Sequence, residues 1–335
     1  MKFFFKMYKM NVLVTGANGL LGHQVVMELL RRFEKVTIIV RSLKNIHFDV
    51  SLVTVFEGNF ADKNTFALAA KNCDAIIHIA AVTSTNLMHY HDYHHINVEG
   101  TKQILKVADE LGIKNMVFVS TTNTIGYGTK DNPADENSNI QFPFSASFYA
   151  QSKAEYEQLI MEASTNPNKH IVIVNPAFMI GAYDTKPSSG KLLIMGYKRR
   201  IMFVPSGGKN FVAASDVAVA VCNAINMGKN GERYIASGMN LSFKEYYTLQ
   251  KSVGEYEQHL LELPNFLLKI AGQIGDLVRK FGVKTELCSM NLNQLMINEY
   301  YKNDKATNEL GLPQTELKIA ILEAIKWFKD TKMIK

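Results

Sequence analysis

Residues 15–22 read TGANGLLG and stand between a short apolar run, 11–14, and a helical pattern of apolar residues, 20–32. A strand, a glycine-rich turn and a helix in this order form the first unit of a dinucleotide-binding fold. The N-terminus of such a helix offers unpaired N–H groups and the positive end of the helix dipole, which favour phosphate. The stretch therefore predicts that a nucleotide binds where the first strand meets the first helix.

Each of the three glycines in this turn has a predicted role. Gly16 lets the chain turn sharply off the strand, Gly19 lets a pyrophosphate approach the backbone, and Gly22 lets the helix pack close to the sheet. The spacing is Gly-x-x-Gly-x-x-Gly rather than the shorter Gly-x-Gly-x-x-Gly. The motif alone is weak evidence, so its position directly after a first strand carries the prediction.

The composition indicates a globular protein of one large domain or two. The chain has 335 residues, 47% of them hydrophobic, and a formal net charge of +6. No run of five or six basic residues occurs, which argues against nucleic acid as a partner. Cys73, Cys222 and Cys288 are widely spaced, which predicts small apolar residues in a reducing compartment rather than disulfides.

No stretch is apolar enough to span a membrane, so we expect no stable membrane insertion. The N-terminal MKFFFKMYKM is basic but lacks the apolar region and cleavage site of a signal peptide. These features predict a cytoplasmic protein in which residues 1–9 form a loose extension before the first strand.

Strand and helix patterns alternate as far as Pro176, which predicts an α/β fold with a Rossmann-type, doubly wound parallel sheet. Residues 10–176 would form an NAD(P)-binding domain, and 177–335 a smaller, mostly helical substrate-binding region from which some elements return to the first domain. The strands are predicted at 11–14, 35–40, 52–56, 75–79, 116–120, 171–175, 211–213 and 232–236. The helices are predicted at 20–32, 62–71, 93–111, 147–163, 188–198, from Ser215 or Asp216 onward, 242–253, 265–281, 289–300 and 315–329.

The residue after the second predicted strand normally meets the adenosine ribose, and an acid there favours NAD. Here Val40 is followed by Arg41, with Lys44 close behind and no carboxylate before Asp49. A guanidinium pairs well with phosphate oxygens. The pattern therefore favours NADP, with NAD as the alternative cofactor; the other interpretation of Arg41 is a solvent-exposed side chain.

His91 and His95 have the helical i, i+4 spacing that could hold a metal. No Cys, and no Glu placed as a base between them, completes a site, so we predict no metal and interpret 88–95 as a loop that leads into the helix 93–111. Asp62 is expected to cap the helix 62–71, with contact to the adenine as its functional alternative.

Tyr149 and Lys153, in YAQSK, stand four residues apart on one helical face. A free tyrosine titrates near pH 10, and a nearby ammonium is expected to lower the pKa of the phenol so that it can act as a general acid or base. Tyr247 and Tyr301 also have a lysine four residues on, but we interpret both as ordinary pairs on helix surfaces. Only Tyr149 follows a strand that ends in hydroxyls, where Thr122 could hold the substrate oxygen.

A set of ordered motifs resembles the extended short-chain dehydrogenases/reductases, the NAD-dependent epimerase/dehydratase family. The motifs are TGANGLLG, GNFAD (58–62), HIAA (78–81), NVEGT (97–101), FVSTTN (118–123), YAQSK, VNP (174–176), SDVA (215–218), GERY (231–234) and YKNDKATNELGL (301–312). The resemblance covers nearly the whole chain. It implies a Rossmann fold, bound NAD or NADP, catalytic Thr122, Tyr149 and Lys153, and a homodimer through helices around 97–111 and 149–163.

The subfamily is less clear from the motifs. Asn123 and Thr124 replace the Asp and Glu of sugar 4,6-dehydratases, and Phe178 replaces an Asn that holds the diphosphate in nucleotide-sugar epimerases. The stretch VNPAFMIGAY (174–183) looks more like dihydroflavonol reductases and 3β-hydroxysteroid dehydrogenases. Lys209, however, falls where sugar-nucleotide enzymes keep an Arg. The apolar pattern 264–278 could line a hydrophobic pocket, pack in the core or form an interfacial face.

The sequence thus predicts a reductase of a ketone or aldehyde that uses NADPH. The alternatives are a nucleotide-sugar epimerase with tightly bound cofactor and a non-enzymatic nucleotide sensor, and the retained Tyr149 and Lys153 argue against the sensor. Substrate contacts are expected from Thr83, Ser84, Phe178 and Lys209. The predicted cofactor contacts are Gly16, Asn18, Gly19, Leu20, Leu21, Gly22, Arg41, Lys44, Asp62, Ala80, Ala81, Asn97, Ser120, Tyr149, Lys153, Asn175 and Pro176.

Overall fold

A computed structural model describes residues 9–32, 34–84 and 86–335. The predicted N-terminal extension lies, apart from Lys9, outside the described residues. In the described chain, no helix is both long enough and apolar enough to cross a membrane.

The strands alternate with helices along the first two thirds of the chain. They are β1 Asn11–Thr15, β2 Lys35–Val40, β3 Thr54–Glu57, β4 Ala75–His78, β5 Asn115–Val119, β6 His170–Pro176, β7 Phe178–Ile180, β8 Ile201–Val204, β9 Gly208–Ala213, β10 Arg233–Ala236, β11 Met239–Ser242, β12 His259–Glu262 and β13 Asn298–Glu299. The helices are α1 Leu20–Arg31, α2 Lys63–Ala70, α3 Tyr90–His94, α4 Gly100–Leu111, α5 Phe148–Ser164, α6 Gly190–Gly196, α7 Ala214–Met227, α8 Phe243–Gly254, α9 Asn265–Lys280, α10 Ser289–Gln294, α11 Asp304–Leu310 and α12 Leu317–Asp330.

The main sheet is parallel throughout, and its strands lie in the order β10-β6-β5-β4-β1-β2-β3. Its central strands are apolar and buried on both faces, as β4, with the sequence AIIH, illustrates. Apolar clusters cover the two faces of the sheet. This architecture confirms the predicted doubly wound α/β fold. Its topological switch point lies between β1 and β4, where such sheets bind ligands outside their carboxyl ends.

The later part of the chain completes the main sheet and its helix layer, and it also forms a second, smaller sheet. α7 packs on α1, and β10 adds to the main sheet beside β6. β7, β9, β11 and β13 form a smaller sheet, and α8 and α12 pack with it around a third apolar cluster. β8 pairs only with β12 among the strands of the described chain.

Three predicted elements differ from the structure. The helix predicted at 93–111 is divided into α3, a π-helical turn at 95–99 and α4. The helix predicted at 289–300 ends at Gln294, because the chain then extends to form β13 beside β9. The predicted cap of α7 is wrong: the helix starts at Ala214, and Asp216 instead accepts hydrogen bonds from the backbone N–H and hydroxyl of Thr315. The cap predicted at Asp62 is confirmed by its bond from the Thr65 N–H.

Candidate active site

The glycine turn after β1 is held by close backbone contacts. Gly16 has φ +77°, and a Cβ there would lie 2.9 Å from the Ala80 nitrogen. A Cβ on Gly22 would lie 2.0 Å from the Gly16 carbonyl oxygen. Real Cβ atoms do not approach backbone this closely, so both positions require glycine for packing.

Gly19 is a different case, because a Cβ there would meet only the Gly16 oxygen, at an ordinary 3.5 Å. The protein itself therefore leaves room for a side chain at this position. Gly19 also caps α1 without any side-chain hydrogen bond, so the first N–H groups of the helix stay available. This arrangement fits a pyrophosphate that lies against the backbone at Gly19.

Thr15 fastens the end of β1 to the end of β4. Its hydroxyl oxygen accepts hydrogen bonds from the N–H groups of Ile79, at 3.0 Å, and Ala80, at 3.1 Å, and lies 2.8 Å from His78 Nδ1. Burial lowers the pKa of His78 to about 3, so its ring is neutral at physiological pH. The threonine thus keeps the two strand ends together at the switch point.

A cavity of about 440 Å³ lies over the carboxyl ends of the parallel strands. Most of the predicted cofactor contacts line it, as does the predicted substrate contact Thr83. The lining residues among the predicted set are Gly16, Asn18, Gly19, Leu20, Leu21, Gly22, Arg41, Ala80, Ala81, Ser120, Tyr149, Lys153 and Pro176. The hydroxyl of Ser120 is buried without a hydrogen-bond partner in the described residues, an unmet hydrogen-bonding group at the edge of this cavity.

Four predicted cofactor contacts do not line this cavity. Asn97 is buried and holds Val82 through its side-chain amide, while Asn175 donates to the Glu157 carboxylate at 2.7 Å and to the Thr121 carbonyl. Asp62 is engaged as the cap of α2, and Lys44 is exposed beyond the end of β2. The side chains of Asn97, Asn175 and Asp62 thus support loops and strand ends around the cavity, whereas no polar contact of the Lys44 side chain is seen within the described part of the chain.

Tyr149 and Lys153 lie together on the first turns of α5, at the wall of the cavity. Lys153 Nζ donates to the Val119 carbonyl at 3.0 Å and lies 3.2 Å from the centre of the Tyr156 ring. Burial lowers the pKa of Lys153 to about 7, although the charge of Glu157 acts in the opposite direction. The lysine is therefore a weaker source of positive charge than a solvated ammonium.

Tyr149 does not have the lowered pKa that the sequence suggested. Burial raises the pKa of its phenol to about 12, and only the hydrogen-bonding Thr121 side chain acts against that shift. Desolvation of the phenol is thus the largest effect on its pKa. Tyr149 is therefore protonated across the neutral pH range.

The hydroxyl beside Tyr149 belongs to Thr121 rather than to the predicted Thr122. Thr121 has extended backbone angles at the end of β5 and lines the large cavity. The next residue, Thr122, begins a short 3₁₀ turn at 122–124 and does not line the cavity. Thr122 is buried, and its carbonyl accepts the hydroxyl of Tyr301.

The two other tyrosine–lysine pairs are not surface features, so that interpretation was wrong. Tyr247 on α8 and Tyr301 are both almost fully buried, and the Tyr247 hydroxyl donates to the Leu192 carbonyl. Their rings fill apolar clusters, which explains tyrosine at these positions. Neither lines a described cavity.

A second, smaller cavity of about 100 Å³ lies on the other side of Tyr149, which lines both cavities. Its wall is largely apolar but includes a guanidinium and an amide. Its other lining residues are Leu87, Tyr93, Ala146, Ser147, Phe148, Arg279, Met290 and Asn291. Sequence reasoning missed these residues because they come from five separate segments, with no local motif to connect them.

Three predicted substrate contacts lie away from both cavities. The Lys209 ammonium forms an ion pair with the buried Glu299 carboxylate and lies 5.4 Å from the centre of the Phe178 ring. Phe178 packs edge-on against Phe211. The Ser84 hydroxyl donates a hydrogen bond to the side-chain oxygen of Asn86, two residues further along the chain. Lys209 is thus committed to an internal charge pair.

The large cavity also has lining residues that no prediction included. Asn59 and Phe60 follow β3, and their place after a parallel strand was a usable signal. Asp184, Thr185, Lys186 and Ser188 come from the loop before α6, which has no recognisable motif. In the described residues, no group of three or more His, Cys, Asp or Glu side chains is arranged to hold a metal ion.

A parallel sheet with a glycine turn, a cavity at its switch point and a buried Tyr–Lys pair defines a nucleotide-binding protein of the short-chain dehydrogenase/reductase type. A family model supports this assignment over two thirds of the chain. The chain belongs to the NAD dependent epimerase/dehydratase family, whose model matches residues 12–236.

Known proteins of this type resemble the chain over nearly its whole length. A putative dihydroflavonol 4-reductase of Synechocystis is 27% identical over 96% of this chain and 95% of its own. Sterol demethylase protein B of Methylococcus capsulatus is also 27% identical, over 97% of this chain and all of its own. The structure of a UDP-glucose 4-epimerase of Thermus thermophilus in complex with NAD has a TM-score of 0.75 and 18% identity, covering 96% of this chain and 99% of that one.

Proposed function

We propose that this protein is a reductase that prefers NADPH and acts on an apolar ketone or aldehyde. The observation that carries the proposal is the position of Tyr149, which lines both the large cavity and the smaller one, with Lys153 one turn further along α5. A reduced nicotinamide cofactor in the large cavity supplies the hydride. Tyr149 donates the proton to the carbonyl oxygen, for which its phenol, protonated at neutral pH, is in the right state.

Two neighbours of Tyr149 have supporting roles in this proposal. The Thr121 hydroxyl holds the carbonyl oxygen beside the phenol. Lys153 lies in the cavity wall, where its Nζ can donate to the ribose of the cofactor and favour the phenolate left by proton transfer. Thr121 therefore acts on the substrate, whereas Lys153 acts on the cofactor and on Tyr149.

The smaller cavity supports an apolar substrate. Leu87, Phe148 and Met290 contribute apolar surface, whereas Arg279 and Asn291 add two polar groups that can orient a substituent. The names of two relatives point to polycyclic, weakly polar substrates, a dihydroflavonol and a sterol. The mixed wall of this cavity suits a mainly apolar part of a carbonyl substrate that carries a polar substituent.

The alternative, a nucleotide-sugar epimerase, requires donors for a diphosphate, because buried phosphate oxygens without donors are costly. The cation predicted for that purpose, Lys209, is engaged with Glu299. The aromatic ring of Phe178 offers no donor. We therefore rank the reductase above the epimerase.

The test is a panel of apolar and sugar-linked carbonyl compounds monitored by NADPH absorbance, beside calorimetric titration with UDP-sugars. We expect NADPH oxidation with an apolar ketone or aldehyde and weak binding of UDP-sugars. Tight binding of a UDP-sugar without NADPH oxidation across the panel would make the epimerase the better interpretation.

The cofactor preference rests on Arg41, which is exposed at the end of β2 and lines the large cavity. We expect NADPH to bind more tightly than NADH. Arg41→Ala should narrow that difference by about 1–3 kcal/mol, the scale of a charge-assisted contact. Lys44→Ala is the matched control, because Lys44 does not line the cavity, and calorimetry with both cofactors gives the comparison. Equal affinities in the unmodified protein would refute the preference for NADPH.

The family resemblance also suggests a homodimer through α4 and α5, and this assembly stays part of the proposal. Light scattering after size-exclusion chromatography measures the mass directly. A monomeric mass at micromolar concentration would remove the dimer from the proposal without affecting the assigned chemistry.

A further inference from the structure

Helix α9 is attached to the protein by one narrow face. Leu268, Gly272 and Gly275 are its buried residues, and the two glycines lie directly against the chain at 287–289. A Cβ on Gly272 would come within 2.8 Å of the Ser289 Cα, and one on Gly275 within 1.3 Å of the Leu287 oxygen. The helix thus lies flat and close on α10 and the segment before it.

The opposite face of α9 is apolar and exposed. Phe266, Ile270, Ile274 and Leu277 recur at helical spacing, and the stripe continues to Phe281 just beyond the helix. Their exposed fractions are 61%, 49%, 58%, 55% and 80%. Apolar residues occur singly on most protein surfaces, but a continuous stripe of this length indicates a surface that something covers.

The β8–β12 pair extends this apolar surface at the N-terminal end of α9. Phe203 lies opposite Leu261 in the pair, and Ile201 is two residues away on the same face. All three side chains are strongly exposed. Only two residues separate β12 from α9, and Ser206 bonds to Asn265, so the two apolar regions adjoin. We call them together the apolar platform.

Basic side chains surround the platform. Lys198, Arg199 and Arg200 precede β8, whereas Lys269, Lys280 and Lys284 lie on α9 and just after it. All six are exposed, and none forms an ion pair with any residue that the structure describes.

Glu255 and Glu257, before β12, are exposed and form no ion pair within the described residues, whereas the acids nearer to α9 are engaged. Glu262 pairs with Lys244, and Glu286 pairs with Lys191. Asp276 accepts the Ser289 N–H. The rim of the platform therefore keeps a net positive charge, which favours an anionic partner.

From these features we propose that the apolar platform docks on the surface of an anionic lipid bilayer. An amphipathic helix lying in the interface, with apolar side chains inserted and lysines at the headgroups, accounts for both the stripe and its basic rim. A second copy of the chain fits less well, because joining two platforms would bring one basic rim against another. The protein would lie on the membrane without crossing it.

The docked orientation has a consequence for the site. Arg279, on α9 itself, lines the small cavity beside Tyr149. Arg279 lies on the same face of α9 as Gly272 and Gly275, so a docked protein would hold its substrate cavity on the protein side of α9, one helix away from the lipid. This last step rests on the proposed function, whereas the docking itself does not.

The experiment is co-sedimentation of the full chain with phosphatidylcholine vesicles, with and without phosphatidylserine. We expect binding to the vesicles that contain phosphatidylserine, and weaker binding as salt is added. The triple variant Ile270→Gln/Ile274→Gln/Leu277→Gln should lose most of this binding. The three replaced side chains are exposed in the folded protein, so the triple variant should fold normally. Leu68→Gln on α2, where the side chain is 63% exposed, is the matched control and should bind as the unmodified protein does.

A second variant, Lys269→Gln/Lys280→Gln, tests the basic rim. Each lysine near an anionic surface contributes about a fivefold change in binding, so the pair should weaken it by about twenty-five-fold. No vesicle binding by the unmodified protein, or equal binding by the triple variant, would overturn the proposal. A dimer that the triple variant converts to monomer, without vesicle binding, would assign the platform to a second copy and overturn it too.

The failure of docking and the failure of the proposed function give different results. NADPH oxidation with a water-soluble carbonyl compound measures the chemistry without any membrane. If that activity is present but vesicle binding is absent, only the docking is wrong. If vesicle binding is present and no carbonyl compound is reduced, the docking stands and the reductase is wrong.

Discussion

The two cavities that meet at Tyr149 are built in different ways. The large cavity is made mainly from the ends of neighbouring parallel strands and the glycine turn, with a contribution from the loop before α6. The small cavity is made from side chains at 87, 93, 146–149, 279 and 290–291, which only the folded chain brings together. A site formed by backbone is constrained by the fold, whereas a site formed by distant side chains is free to vary with the substrate.

The sharpest test of this division is Tyr149→Phe, because the residue belongs to both cavities. Turnover should fall by about 10²–10⁴, the loss expected for a general acid, while NADPH affinity stays nearly unchanged. Steady-state kinetics and calorimetry give the two readings. Tyr247→Phe serves as the control. If the control abolished activity and Tyr149→Phe did not, the catalytic pair would be misassigned.

A second test compares the adjacent threonines after β5. Thr121→Val should lower kcat by about 10²–10³, as expected when a hydrogen-bond donor to the reacting oxygen is lost. Thr122→Val should have a much smaller effect on kcat, since its side chain does not line the cavity. The opposite order would favour the assignment made from the sequence over the one made from the structure.

Two substitutions can separate the role of the glycine turn in packing from its role in cofactor binding. Gly22→Ala should lower the free energy of unfolding by about 1–3 kcal/mol, because its Cβ would overlap the Gly16 carbonyl. The alanine Cβ in Gly19→Ala has room, so the free energy of unfolding should stay the same. The affinity for NADPH should fall, because the Cβ would occupy the place of the pyrophosphate. Urea denaturation and calorimetry measure the two effects. Normal NADPH affinity in Gly19→Ala would mean that no pyrophosphate lies against that residue.

A further test concerns pH. Lys153 has a pKa of about 7 in the folded protein and 10.5 as its ordinary value. Between these values the unfolded chain binds the extra proton, so this group makes the protein more stable as pH rises from about 7 toward 10. Lys153→Met should remove that part of the rise in the unfolding free energy, measured by urea denaturation without cofactor. Parallel pH profiles for the two proteins would contradict the lowered pKa.

The sequence predicted the main sheet and most of the large cavity because these features are locally encoded. Glycines mark the turn, and apolar runs such as 35–40 coincide with buried strands. The protonation of Tyr149 could not be predicted in this way, since it depends on burial by residues far apart in the chain. The same holds for Lys209, whose partner Glu299 lies 90 positions away.

Because β10 and α7 return to the main sheet late in the chain, the nucleotide-binding half cannot be cut out at Pro176 as an intact domain. A fragment ending at Pro176 would lack β10 and α7, which would leave β6 as an edge strand, still paired with β5 but unpaired on its other side, and would uncover the side of α1 that packs on α7. An unpaired strand edge of this kind is a template for aggregation. During synthesis, about sixty residues after Pro176 must be added before β10 can complete the main sheet. Chaperones can bind the incomplete sheet during that time.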